Sequence, residues 1–183
     1  MSVNRVVRAG QRFQDAKLTI DPVNVRILRA LQADPRISMS ELGRRVGMSA
    51  PAVTERVQRL EESGVIRGYR LEIDPAAVGF PVAAWVRVRP GPGQLAKIAE
   101  LATTIPEVVE CHRITGEDCF LLKVHVPAVD ELETVLDRFL LYGQTASSIL
   151  QSSPVPARPL PLPPLPGDDE RPATRSSARR SGG

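Results

Sequence analysis

The sequence predicts an α+β chain in two parts, with helices gathered in the first and strands interleaved with helices in the second. Three observations carry this: capped apolar stripes of helical period before residue 64, a change to strict alternation from residue 81, and a proline-rich end after residue 151. The expected divisions are a basic arm over residues 1–20, a helical domain over 21–75, a linker over 76–81, a mixed domain over 82–151 and a flexible, basic tail over 152–183.

The first helix starts at Asp21-Pro22, where a carboxylate takes free amide hydrogens and proline costs nothing in the first turn. Val23, Ile27, Leu28 and Leu31 then share a face. A second start follows at "SMSE", where Ser38 and Glu41 have the spacing of a capping box; Leu42 and Val46 point inward and Gly47 ends the helix. Ser49 caps the third, Pro51 is tolerated in its first turn, and Val53, Val57 and Leu60 repeat at four and three residues until Gly64. Val65, Ile66, Tyr69, Leu71 and Ile73, broken by "RG" at 67 and 68, read as a small hairpin ending at Asp74-Pro75. Three helices and a hairpin make a winged helix-turn-helix.

From Pro81 "PVAAWVRVRP" alternates as a strand, and "GQLAKIAELATTIP" follows as a helix with Leu95, Ile98 and Leu101 inward. Two strands, "VVECHRITG" and "CFLLKVHVP", are joined by the turn "TGED". A helix at "VDELETVLDRFLLY" buries Leu132, Val135, Leu136 and Phe139, and "QTASSILQ" is the last strand. The order βαββαβ is the ferredoxin-like arrangement, one sheet with both helices on one side. The opposite face then carries Ala83, Trp85, Arg87 and Arg89 from one strand and Leu121, Lys123 and His125 from another. Trp85 and Leu121 there favour a sheet-to-sheet homodimer. After residue 151 come eight of the 17 prolines, with too little apolar content to offset ordering and with "SSPVPARPLPLP" available to lie on the body.

Composition narrows the function classes. In 183 residues two small domains have modest cores, so self-association is expected. No segment approaches the roughly 18 apolar residues of a membrane helix, and the first twenty residues lack the apolar run of an export signal, so the expected location is cytoplasmic, at the nucleoid. Cys111 and Cys119 are too few for a disulfide framework and read as buried thiols. Residues 1–75 carry 13 basic against 9 acidic side chains, residues 76–151 carry 6 against 9, and residues 152–183 carry 5 against 3. A basic front joined to an acidic middle suits a polyanion binder with a second module.

The third helix supplies what major-groove recognition requires: a cap and breaker that set its angle, an apolar stripe to bury, and a polar outer face. Ser49, Ala52, Thr54, Glu55, Arg56, Gln58 and Arg59 can hydrogen-bond base edges or phosphates, with Ala52 suited to a thymine methyl. Arg44 and Arg45 before it, and Arg67 and Arg70 after it, are placed for phosphate. Any one of these arginines also reads as ordinary solvated helix surface; the whole constellation favours double-stranded DNA.

The stretch "ISMSELGRRVGMSAPAVTERVQRLEESGVIRGYRLEIDP" resembles the N-terminal half of the Lrp/AsnC (leucine-responsive and asparagine-responsive, feast-or-famine) transcriptional regulators, and "PEVVECHRITGEDCFLLKVHVP" resembles their effector-binding half. The resemblance spans residues 18 to about 151. It implies a winged-helix dimer built through the C-terminal sheets, assembled further into tetramers, octamers or rings, and tuned by a small molecule, usually an amino acid, held between dimers. By position it carries the effector site onto Thr115, Gly116, Glu117 and Asp118, then Gly143, Gln144 and Thr145. Amides beside a glycine can accept a carboxylate while an acid pairs with an ammonium. The same "TGED" reads equally well as a tight turn with a solvated acidic tip. Many members have an aromatic residue and then Asp where this chain has Asp118 and Cys119.

Two other classes compete. Sirohaem decarboxylases resemble the same two-part architecture, and His112, Arg113 and His125 lie on adjacent expected strands; without a third ligand or paired acid the histidines read better as sheet or interface residues, so neither a catalytic site nor a metal or other cofactor is expected. An architectural protein that compacts DNA without an effector is the other, with the basic arms supplying sequence-independent affinity.

Overall fold

The computed structural model describes residues 20–166 and 168. The expected basic arm, apart from Ile20, and the tail beyond Asp168 lie outside the described residues. The chain divides into two compact units, one running to Tyr69 and resuming at Arg158, the other Arg70–Ala157.

The first unit holds α1 (Pro22–Ala33), α2 (Met39–Val46) and α3 (Ala50–Glu62). Each begins where a side-chain oxygen accepts an otherwise unpaired amide: Asp21 from Asn24 at 2.6 Å, Ser38 from Glu41 at 3.2 Å and Ser49 from Ala52 at 3.4 Å. The capping box is only half formed, because the Glu41 carboxylate turns to Arg44 and Arg45. Ile27, Leu28, Leu31, Ile37, Leu42, Val46, Val53, Val57 and Leu60 form one core. Val25 joins the buried set while Val23 is only partly covered. Gly47, at φ 74°, ends α2. Gly43 lets α3 approach: a Cβ there would lie 2.6 Å from the Met48 carbonyl oxygen, and the Met48 amide donates to the Gly43 carbonyl at 2.8 Å.

The expected hairpin is not formed. Val65 and Ile66 pack on the core of the first unit, and the chain from residue 65 to 75 joins no ladder. Tyr69, Leu71 and Ile73 stay exposed, Leu71 at 85%. A two-stranded ribbon of such short arms, broken at Gly68, has too little apolar face to hold itself. The expected linker instead contains a 3-10 turn over Ala76–Val78.

The second unit contains β1 (Val82–Pro90), α4 (Leu95–Thr104), β2 (Val108–Arg113), β3 (Phe120–Val126), α5 (Val129–Leu140) and β4 (Gly143–Ile149). The antiparallel sheet has order β2-β3-β1-β4, as the expected α+β topology requires. Alternation sorts its two faces. Ala84, Val86, Val88, Phe120, Leu122, Val124 and Val126 join Ile98, Ala102, Leu132, Val135 and Phe139 in the core, while Trp85, Leu121, Lys123 and His125 are half-buried opposite. Leu95, expected inward, is exposed, and Leu101 and Leu136 are only partly covered. Cys111 is exposed and Cys119 intermediate rather than buried. Among the described residues no helix is long and apolar enough to cross a membrane.

The tail was expected to be flexible, with residues 152–163 available to lie on the body. Beyond Ala157 the chain returns to the first unit, where Leu162 packs on its core and Arg29 pairs with Asp168.

Alanine in place of glycine ordinarily favours a helix by about 1 kcal/mol. Gly43→Ala is expected to reverse that sign and lower stability by about 1–3 kcal/mol, read by chemical denaturation, because the added methyl meets backbone that side-chain motion does not relieve.

Candidate functional site

With Val53, Val57 and Leu60 buried, α3 turns Ala52, Thr54, Glu55, Arg56, Gln58 and Arg59 away from the core. Gln58 and Arg59 are exposed; Ser49 is exposed but its oxygen already caps the helix. The Thr54 hydroxyl donates back to the Ala50 carbonyl at 2.8 Å, which leaves it acceptor capacity. Arg59 pairs with Glu55 one turn away, and Glu41 serves both Arg44 and Arg45. Exposed pairs of this kind contribute about 0–1 kcal/mol, so a phosphate can displace the carboxylates at little cost. Arg67 and Arg70 are exposed on the irregular segment after α3, where a hairpin was expected, and fall in different units.

Arg56 is placed differently from the role expected of it. Its Nη1 donates to Asp21 Oδ2 at 2.7 Å and to Asn24 Oδ1 at 3.1 Å. Asp21 therefore does two things: one oxygen caps α1 and the other anchors α3. Asp21, Asn24, Met48, Ala52, Arg56 and Arg59 line part of a groove of about 570 Å³ between α1 and α3. The Arg56 guanidinium, followed by the Asn24 amide, holds the Asp21 carboxyl below the ordinary carboxylate range. A depressed folded value stabilises the fold above the ordinary range and ceases to do so as pH falls through the folded value.

The second cluster lies on the sheet of the second unit. Arg87 and Arg89, two apart on β1, share the face away from the helices. Arg89 reaches Glu117 at 2.5 Å and Asp118 at 3.5 Å, and Arg87 reaches Asp118 at 3.6 Å. Arg87, Arg89, Asp118, Gln144, Thr145 and Ala146 line a cavity of about 330 Å³. Of the residues carried over for an effector, this brings together Asp118, Gln144 and Thr145, with Glu117 at the rim through Arg89. Thr115 and Gly116 are exposed in the preceding turn and do not line it. Gly143 is accounted for by packing, since a Cβ there would lie 2.2 Å from the Arg89 carbonyl oxygen. The two arginines were absent from the expected effector set, although their i, i+2 spacing on a strand already put them on one face. Paired cations beside a carboxylate suit a zwitterion, with guanidinium for its carboxylate and Asp118 for its ammonium.

Trp85 and Leu121 lie on the same sheet face. Trp85 is paired between Lys123 and Ser148, and Leu121 is its diagonal neighbour on β3. His112 meets Glu110 at 3.2 Å and stands opposite Leu121, whereas His125 is four residues further along β3 and opposite Ala83. The histidines are thus not drawn into one site, and among the described residues no three metal-ligating side chains cluster.

Comparison with known proteins finds a match for each part of the chain. Residues 20–67 match the model for winged helix-turn-helix DNA-binding domains and residues 82–160 that for the Lrp/AsnC ligand binding domain. The HTH-type transcriptional regulator LrpC of Bacillus subtilis is 33% identical over 135 residues, 74% of this chain and 94% of its own. The structure of that protein superposes with a TM-score of 0.70 over 73% of this chain and 95% of its own. A feast or famine regulatory protein from M. tuberculosis, solved in complex with L-methionine, is 35% identical with a TM-score of 0.69, covering 76% of this chain and 99% of its own.

Asp21→Ala removes a cap and an anchor together. It is expected to cost about 1 kcal/mol through the cap alone. Asp21→Asn, which keeps a capping oxygen but not the charge, should flatten the loss of stability on acidification below the ordinary carboxylate range; an unchanged acid limb would exclude this carboxylate as a contributor.

Proposed function

This chain belongs to the Lrp/AsnC family and is an effector-modulated, DNA-binding transcriptional regulator rather than an enzyme, and from that premise we propose how its residues divide the work. Helix α3 enters the major groove; Ser49, Ala52, Thr54, Glu55, Gln58 and Arg59 face the bases and Arg44, Arg45, Arg67 and Arg70 face phosphates. Arg56 is a positioning residue that fixes α3 against α1. The observation that carries this reading is the sidedness of α3: one face is buried to 5% exposure or less at Val53, Val57 and Leu60, and the other is polar and cationic.

The effector is an amino acid held by Arg87, Arg89, Asp118, Gln144 and Thr145. The regulator is a cytoplasmic, nucleoid-associated homodimer, assembling to a tetramer or octamer, and the effector alters how dimers associate rather than the reading helix. Two features support self-association: the half-buried Trp85 and Leu121 on a sheet face that no helix of the second unit covers, and the alternating, exposed Leu71 and Ile73, whose strand pattern is unpaired among the described residues. Two dimer-related copies of residues 49–59 then meet successive major grooves of a pseudo-palindromic site.

The test is a gel shift on the upstream region of the protein's own gene, joined to a thermal-shift screen of the twenty amino acids. Arg59→Ala is expected to weaken binding by about 1–3 kcal/mol if it meets a base edge; unaltered affinity removes it from the interface. Asp118→Ala should abolish the ligand-induced thermal shift and leave DNA binding in the absence of ligand intact. Trp85→Ala should loosen the dimer, and sedimentation identical to the parent refutes that placement.

A further inference from the structure

The proline-rich segment after the sheet domain has no part in the proposed DNA and effector contacts, yet it makes specific contacts with α1. Residues 157–166 read "ARPLPLPPLP", with prolines at half the positions. Proline has no amide hydrogen and fixes its own φ, so such a chain is stiff, extended and rich in backbone acceptors. Helix α1 presents the matching donors. Arg29 Nη2 donates to the Pro163 carbonyl at 3.2 Å and Gln32 Nε2 to the Leu160 carbonyl at 3.2 Å. Arg29 and Gln32 are three residues apart on one helix face, and Leu160 and Pro163 are three apart on a chain whose extended repeat is about three residues. The higher-numbered tail residue meets the lower-numbered helix residue, so the segment runs antiparallel to α1.

Two further contacts fix the register. Leu162 packs on the core of the first unit, and Leu165, three residues on, is also partly covered, whereas Leu160 is 80% exposed. Asp168 closes the end: its Oδ2 accepts from the Leu165 amide at 2.7 Å and lies 2.5 Å from Arg29 Nη2, and the Asp168 amide donates to the Leu165 carbonyl at 3.0 Å. The ion pair is more than a third exposed on both sides and contributes little by itself. Leu162 and the carbonyl contacts therefore carry the association, helped by a chain with little conformational freedom to lose.

We propose that the outer face of α1 around Arg29 and Gln32 is a docking surface for an extended proline-rich segment, and that its occupant is this chain's own residues 158–166, with Asp168, which strap the DNA-reading unit. The strap makes the chain pass between the two units twice, at Tyr69–Arg70 and again at Ala157–Arg158. The strand that carries Gln144 and Thr145 is thus followed, nine residues beyond Ile149, by the segment that grips α1.

The test is amide hydrogen exchange of the full-length protein, followed by mass spectrometry over residues 22–33. Leu162→Ser is expected to speed exchange in α1 by about tenfold, equivalent to about 1.4 kcal/mol. Leu160→Ser should leave it within about twofold of the parent, because only the backbone of that residue is used. Parental exchange in Leu162→Ser, or equal acceleration in both variants, overturns the strap.

Discussion

The structure rests on one constraint: Val53, Val57 and Leu60 must be buried together. That requirement fixes which way α3 faces, and it does so with buried apolar residues. Ile27, Leu42 and their neighbours form the receiving surface, and Gly43 allows the close turn that brings α3 onto it. Once the stripe is inside, the polar residues between its members have nowhere to go but outward. The polar outer face is in this sense a by-product of packing, and the Arg56 contacts with Asp21 and Asn24 add directional ties that apolar contacts alone do not supply.

The second unit obeys a constraint of period two. Val86 and Val88 face the helices, so Arg87 and Arg89 must face away, and the register that sets Gln144 opposite Arg89 completes the cluster. A one-residue slip of β4 would exchange its two faces. Gly143 resists such a slip by its tight fit against the Arg89 carbonyl. A residue that the family resemblance assigns to ligand contact thus has a structural reason for its identity.

Much of this was legible in the sequence because it follows from local rules. Asp21, Ser38 and Ser49 announce the three helix starts, and the alternation of "PVAAWVRVRP" announces both a strand and the residues of each face. What the sequence concealed depends on partners distant along the chain. Arg56 looks like any outward arginine of α3 until Asp21, 35 residues earlier, is beside it. Residues 65–73 carry a strand pattern that is left unpaired among the described residues. The tail's composition argues for disorder, and donors on α1, more than a hundred residues away, give the Leu160 and Pro163 carbonyls their partners.

The mutual pairing of Arg87 and Arg89 with Glu117 and Asp118 sets the terms on which any visitor enters. A zwitterion arriving there trades one set of ion pairs for another, so the net gain is a small difference between two similar sums. An exchange of this kind at exposed ion pairs responds to ionic strength. If the proposed effector enters here, it is one abundant enough to fill the site by mass action, and the site empties as its concentration falls.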